Sequence, residues 1–192
     1  MMKRMVLVAC LLTFVIGCQS ETETEQPAPE QTTSEPMSQE ERLRKNAPER
    51  RPSDAIMTIE DITLAAGESG SFTIDYYGVE PAKAMVVPLK FPNGFVVDSV
   101  SWSGSVVDYL ANKPVRIANE ENLLLMAAVP VTEDAVPPGE GLFATVYFHL
   151  AENAESGRIV ETIAPPANQL SYVDTAKTLV QINLDGAEVS VQ

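Results

Sequence analysis

The sequence predicts an all-β domain, a two-sheet β-sandwich of jelly-roll type, from three observations. Beyond about residue 55, short apolar runs alternate with turn residues at close intervals. Several runs alternate strictly, as in Ser71-Phe72-Thr73-Ile74-Asp75-Tyr76 and Thr178-Leu179-Val180-Gln181-Ile182-Asn183-Leu184. That period of two is the pattern of a strand with one buried face. No segment carries an apolar stripe at helical spacing over a useful length. Many short strands joined by regular turns pack as a sandwich or jelly roll, and residues 55–192 are ample for a two-sheet core.

Taken in order, the chain begins with a targeting segment. Lys3 and Arg4 form a positive start, and residues 5–16 are an apolar run. As a helix, at about 1.5 Å per residue, the run spans roughly 18 Å, well short of a ~30 Å hydrocarbon core. It therefore reads as the apolar part of a signal peptide, over residues 1–17, and not as a transmembrane helix. It ends in Val15-Ile16-Gly17-Cys18, which resembles the lipobox of bacterial lipoproteins. Gly17 and Cys18 match that motif, while Val15 and Ile16 are permitted variants. The resemblance implies cleavage before Cys18 and covalent lipid on that residue, enough acyl chain for stable anchoring. Gln19 follows where an Asp would retain the protein at the inner membrane of a Gram-negative host, so the outer membrane of the cell envelope is the expected location.

Residues 18–54 read as a disordered tether. Glu21-Thr22-Glu23-Thr24-Glu25 and Pro27-Ala28-Pro29 cannot build a core. Ser38-Gln39-Glu40-Glu41 fits a capping box and predicts a turn or two of helix through Lys45. Glu residues dominate up to Glu41, followed by Arg42, Arg44, Lys45, Arg50 and Arg51. The basic group is either a solvated linker, the simpler reading, or a patch that docks on the acidic domain or an anionic surface.

Within 55–192 the expected strands are 55–64, 71–77, 84–91, 95–102, 106–110, 115–118, 123–129, 142–150, 159–163, 178–184 and 187–191. Turn chemistry separates them at Ala66-Gly67-Glu68-Ser69-Gly70, Pro92-Asn93-Gly94, Ser103-Gly104, Pro137-Pro138-Gly139-Glu140-Gly141 and Asp185-Gly186.

Charge and cysteine usage narrow the function. With 13 basic residues against 27 acidic ones the formal net charge is −14, the wrong sign for a phosphate backbone, so nucleic acid is not an expected partner. The two cysteines, Cys10 and Cys18, both precede the domain, which therefore has no disulfide, thiolate metal site or cysteine nucleophile. His149 is the only histidine and no G-x-S-x-G elbow accompanies it, so it reads as a strand residue. The pairs Glu60/Asp61, Glu120/Glu121 and Glu133/Asp134 are adjacent in sequence, unlike glycosidase carboxylates facing each other across a cleft, and read as solvated surface. The stretch from Gln181 to Gly186 lacks the Asp that opens a calcium loop and reads as strand and turn. Trp102 with Tyr76, Tyr77, Tyr109, Tyr147 and Tyr172 could supply a sugar-stacking platform, although packing accounts for any one of them. No catalytic residues, metal site or cofactor are expected.

Four stretches carry a family resemblance. They are an early strand with a Gly-Glu-Ser turn and an alternating strand from Ile62 to Ile74; Phe91-Pro92-Asn93-Gly94-Phe95-Val96-Val97-Asp98-Ser99-Val100; the apolar run from Leu123 to Val129; and Pro137-Pro138-Gly139-Glu140-Gly141-Leu142-Phe143-Ala144-Thr145-Val146-Tyr147-Phe148. Together they resemble cohesin-like domains, jelly-roll modules known from cellulosome scaffolds and kin to carbohydrate-binding modules. In the last stretch Leu142, Ala144, Val146 and Phe148 are expected on one face, and Phe143, Thr145, Tyr147 and His149 on the other. The resemblance implies a non-catalytic, membrane-anchored binding module that docks a dockerin-bearing protein on one sheet face. Calcium would enter only through that partner. The implied face uses residues 84–89, 106–110 and 123–125, with Tyr109 and Asn112 as contact candidates. The alternative is a carbohydrate-binding or cell-surface adhesion module with a polysaccharide partner.

Overall fold

The computed structural model describes residues 37–131 and 135–192. The signal peptide expected at 1–17, lipidation at Cys18, the first part of the tether and the Glu133/Asp134 pair lie outside the described residues. The described chain folds as two main sheets with a small third one.

The five-stranded sheet contains β1 (Ile56–Thr58), β3 (Ser69–Gly78), β5 (Phe95–Ser101), β8 (Gly139–Leu150) and β13 (Asn183–Asp185), in the order β13-β1-β3-β8-β5. Alternation along β3 buries Phe72, Ile74 and Tyr76 and leaves Ser71, Thr73, Asp75 and Tyr77 outside. The six-stranded sheet contains β4 (Ala82–Lys90), β6 (Val115–Ala118), β7 (Leu123–Ala128), β11 (Ser171–Asp174) and β12 (Leu179–Gln181), ordered β12-β11-β4-β7-β6. Its sixth strand, β10 (Val160–Glu161), also pairs with β4. The small sheet joins β2 (Ile62–Leu64), β9 (Gly157–Arg158) and β14 (Glu188–Val191).

The core lies between the inner faces. β4 and β7 contribute Met85, Val87, Leu89, Leu124 and Met126, all fully buried. An aromatic group closes one end: the rings of Phe95 and Phe148 stack at 4.2 Å, those of Phe91 and Phe95 at 4.7 Å, and Phe72 lies 5.9 Å from Phe148. Such contacts stabilise beyond the area they bury.

Several expected elements fold differently, each for a local reason. The run 55–64 divides, because β1 pairs in parallel with β13 while β2 pairs in parallel with β14 in another sheet. The run 178–184 divides in the same way into β12 and β13. Residues 106–110 are not a strand. Ser105 Oγ accepts from Val107 N–H at 3.3 Å, Asp108 N–H donates to Ser105 O at 3.1 Å and Leu110 N–H to Val107 O at 3.0 Å, so the backbone bonds locally in successive turns. Val107 and Leu110 still bury their side chains.

β8 departs from simple alternation. Its register with β3 shifts at Ile74, where Ala144 pairs with Ile74 and Leu142 with Asp75. Phe143 is the extra, bulged residue. It is therefore fully buried, edge-on to Trp102 at 5.3 Å, rather than on the outer face with Thr145 and Tyr147.

The end of the expected tether is ordered on the domain. α1 (Gln39–Asn46) begins at the expected capping box: Glu41 N–H donates to Ser38 Oγ at 3.2 Å, and Ser38 N–H to Glu41 Oε2 at 2.8 Å. Pro48 O then accepts from Gln169 Nε2 at 2.7 Å. Arg51 lies parallel to β12, giving its N–H to Leu179 O and accepting from Gln181 N–H, both at 2.8 Å. Ser53 Oγ donates to Gln181 O at 2.7 Å, and Asn183 Nδ2 donates to Ser53 O at 2.8 Å. Residues 48–53 thus form a strap along the edge of β12. Among the described residues no helix is long and apolar enough to cross a membrane.

Candidate binding face

The six-stranded sheet turns one face to the core and the other outward. Residues directly opposed on antiparallel strands share a face. Outward pairs are Val86 with Ala127 and Pro88 with Leu125, flanked on β11 by Val173 beside Ala84 and Ser171 beside Val86. On the far side Arg116 of β6 stands opposite Leu125. The middle of the face is therefore made of small and apolar side chains, half-buried at Val86, Leu125, Ala127 and Val173, while Pro88 and Ser171 are buried. Pro88, which has no N–H to give, falls where β4 exchanges one neighbour for another, pairing with β11 up to Val86 and with β10 from Leu89.

Charge lies at the margins. Arg116 pairs with Glu121 at 2.9 Å, and Lys90 stands at the end of β4 opposite Leu123. At the other end a polar group ties the strap to the sheet. The Tyr172 hydroxyl donates to Glu80 Oε1 at 2.7 Å, and the Arg51 guanidinium bonds Glu80 and, at 3.3 Å, Asp174 Oδ2. Asp174 is buried, and its Oδ1 accepts from Thr178 N–H at 2.8 Å. The Tyr172 hydroxyl, then Arg51, hold the Glu80 carboxyl below its ordinary range. Glu80 in turn raises Arg51. Burial, with the Glu80 charge added, raises the Tyr172 hydroxyl. Burial pushes Tyr76 up to about 12.

Of the face expected from sequence, 84–89 and 123–125 lie side by side as β4 and β7. The 106–110 segment does not join them, and the strand beside β7 is β6. Tyr109 projects from the turns, 56% exposed, with its hydroxyl donating to Ala135 O at 3.0 Å. Asn112 lies beyond the sheet's far corner, its carbonyl accepting from Val129 N–H at 3.0 Å. Both stand at the end of β7 opposite Leu123 rather than at the centre of the face. Val86, Pro88 and Leu125 fall within the expected stretches 84–89 and 123–125, and Ala127 extends the row by one pair. Their signal was apolar character at both parities of 84–89 and 123–128, the mark of a strand covered on both sides.

The other candidates disperse. His149 is exposed on the five-stranded sheet, with Nδ1 2.9 Å from Asp98 Oδ1. Asp61 accepts from Glu188 N–H at 2.8 Å, while Glu121 serves Arg116. Tyr76 and Tyr172 are buried and Trp102 packs on Phe143, whereas Tyr77 and Tyr147 are exposed on the five-stranded sheet. Among the described residues no group of three or more His, Cys, Asp or Glu is placed to hold a metal.

Two packed sheets with a small third one define a β-sandwich of jelly-roll type. Comparison with solved structures narrows the class: the domain has the cohesin fold. The third ScaC cohesin of Acetivibrio cellulolyticus, solved with the ScaB dockerin, superposes with a TM-score of 0.59 at 18% identity, covering 71% of this chain and 98% of that one. A Clostridium thermocellum OlpC cohesin, solved in a type I cohesin–dockerin complex, gives 0.60 at 11% identity over 76% and 97%. A non-cellulosomal cohesin from the archaeon Archaeoglobus fulgidus gives 0.54 at 11% identity over 73% and 92%. No family model and no curated protein matches the sequence.

Proposed function

We propose that the domain is a non-catalytic binding module that docks a dockerin-bearing protein on the outward face of the six-stranded sheet, displayed from the outer membrane on lipid carried by Cys18. The observation that carries this reading is the half-buried apolar row of Val86, Leu125 and Ala127, rimmed by Lys90 and the Arg116–Glu121 pair. It sits on a fold whose solved examples include dockerin complexes. An apolar centre with a polar rim is the anatomy of a protein interface. Tyr109 and Asn112 extend it at one end, and calcium belongs to the partner.

The test is capture from host lysate with residues 37–192, with calcium and with chelator. The expected result is a dockerin-bearing protein recovered only with calcium, and lost on Leu125→Asp while the fold is retained by circular dichroism. Capture that survives Leu125→Asp but fails with Tyr109→Ala would move the face to the Tyr109 corner. Recovery of polysaccharide, with loss on Tyr77→Ala or Tyr147→Ala, would transfer the function to the five-stranded sheet, where those two tyrosines are exposed.

A further inference from the structure

The strap and α1 lie against the same sheet that carries the candidate face, but they are held very differently. The strap is bound by the backbone bonds of Arg51, by Ser53 and Asn183, by Arg50 Nη1 donating to Leu170 O at 2.7 Å, and by the Arg51–Glu80 and Arg51–Asp174 pairs. α1 has no buried residue. Its single leucine, Leu43, is half-buried, and a cleft of about 220 Å³ remains between Gln39, Glu40 and Leu43 on the helix and Lys90, Leu123, Thr162 and Ile163 beneath. A helix of 8 residues is too short to persist in water unaided, where about 12–15 are needed. It is sustained here by its capping box, by the Glu40–Arg44 pair at 2.8 Å, and by Lys90 close enough to favour the Glu40 charge.

We propose that α1 is a displaceable cover that closes the Lys90 and Leu123 end of the outward face, hinged between Ala47 and Pro48 on a strap that stays fixed. Ala47 already has extended backbone, at φ −69° and ψ 137°, and a proline follows, so the helix cannot continue into the strap. Beneath the cover, Leu123 continues the outward row of Leu125 and Ala127 yet is only 6% exposed. Lifting α1 lengthens the apolar row toward Ile163 without breaking any bond of the strap. The cover rests on the binding-face reading only for the identity of what displaces it.

Residues 37–192 form one compact unit that holds every contact described and contains no cysteine, so one engineered thiol reports alone. Thr162→Cys places it in the cleft under α1, and Ser71→Cys provides a control on the other sheet. The rate of reaction with iodoacetamide is measured in each, with and without Leu43→Asp or Ser38→Ala. Loss of an N-cap shifts a helix equilibrium by about fivefold. A rise of that order at Thr162→Cys in both backgrounds, with Ser71→Cys unchanged, is expected. Equal rates in all backgrounds would overturn the cover, as would a rise shared by Ser71→Cys. The labelling needs no partner, so a failed capture experiment counts against the binding-face reading and leaves this result standing.

Discussion

Gly186 illustrates how tightly one residue can be bound by its surroundings. A Cβ placed there would lie 2.1 Å from the carbonyl oxygen of Ile159, which is backbone and cannot swing aside. Ile159 N–H meanwhile donates to Ala187 O at 2.9 Å, so the close approach is part of the pairing. Gly186→Ala is expected to cost about 2 kcal/mol or more, in the range of overpacking substitutions, read as a lower urea midpoint. Gly104→Ala, where φ is +74° but the space is open, should cost less, about 1 kcal/mol of backbone strain. At Glu80 the effect is on pH. Its carboxyl is held below the ordinary value of 4.5, so its pairing stabilises the fold above that value and is lost as pH falls through the lower, folded-state one. Glu80→Gln should therefore lower the thermal midpoint at neutral pH and make its decline in acid shallower. An unchanged acid limb would dissociate Glu80 from the effect.

At the scale of elements, the strap does for β12 what sheet edges require. An uncovered edge strand offers unpaired N–H and C=O groups to other chains, and Arg51 occupies those of Leu179 and Gln181. A fragment beginning at residue 55 removes that cover together with the Arg51–Glu80 pair. It should unfold at a lower temperature than 37–192 and self-associate in light scattering as concentration rises; equal behaviour would show the strap to be dispensable. The capping box at Ser38 was legible because its signal is local, two residue types at a fixed spacing. The docking of Arg50 and Arg51 on the acidic domain was open only as the alternative to a solvated linker, because their partners Glu161, Glu80 and Asp174 are distant in sequence and only the fold brings them near. β11 escaped the strand assignment for a related reason. Its four residues Ser171-Tyr172-Val173-Asp174 carry a single alternation, and it is the flanking β4 and β12 that make it a strand.

For the whole molecule, the sandwich was legible because two-residue periodicity and turn chemistry recur along the entire domain, and no single misplaced strand could change the class. What alternation could not supply was which sheet each strand joins. β1 and β2 are separated by three residues yet lie in different sheets, a choice made by parallel pairing with the C-terminal strands β13 and β14. The candidate face suffered from the same limit: 84–89 and 123–128 were readable as strands, while their adjacency, and the replacement of 106–110 by β6, are properties of the assembled sheet.

The direction of the strap has a mechanical consequence. Its bonds at Arg51 cross between two parallel segments, so tension drawn along the strand axis from the N-terminal side would strain them sideways together instead of peeling them one by one. With the Arg51 guanidinium clamped to Glu80 and Asp174, the strap would work as a strain relief. A tug on the tether would straighten α1 first, and the sandwich would be loaded only after that slack had run out.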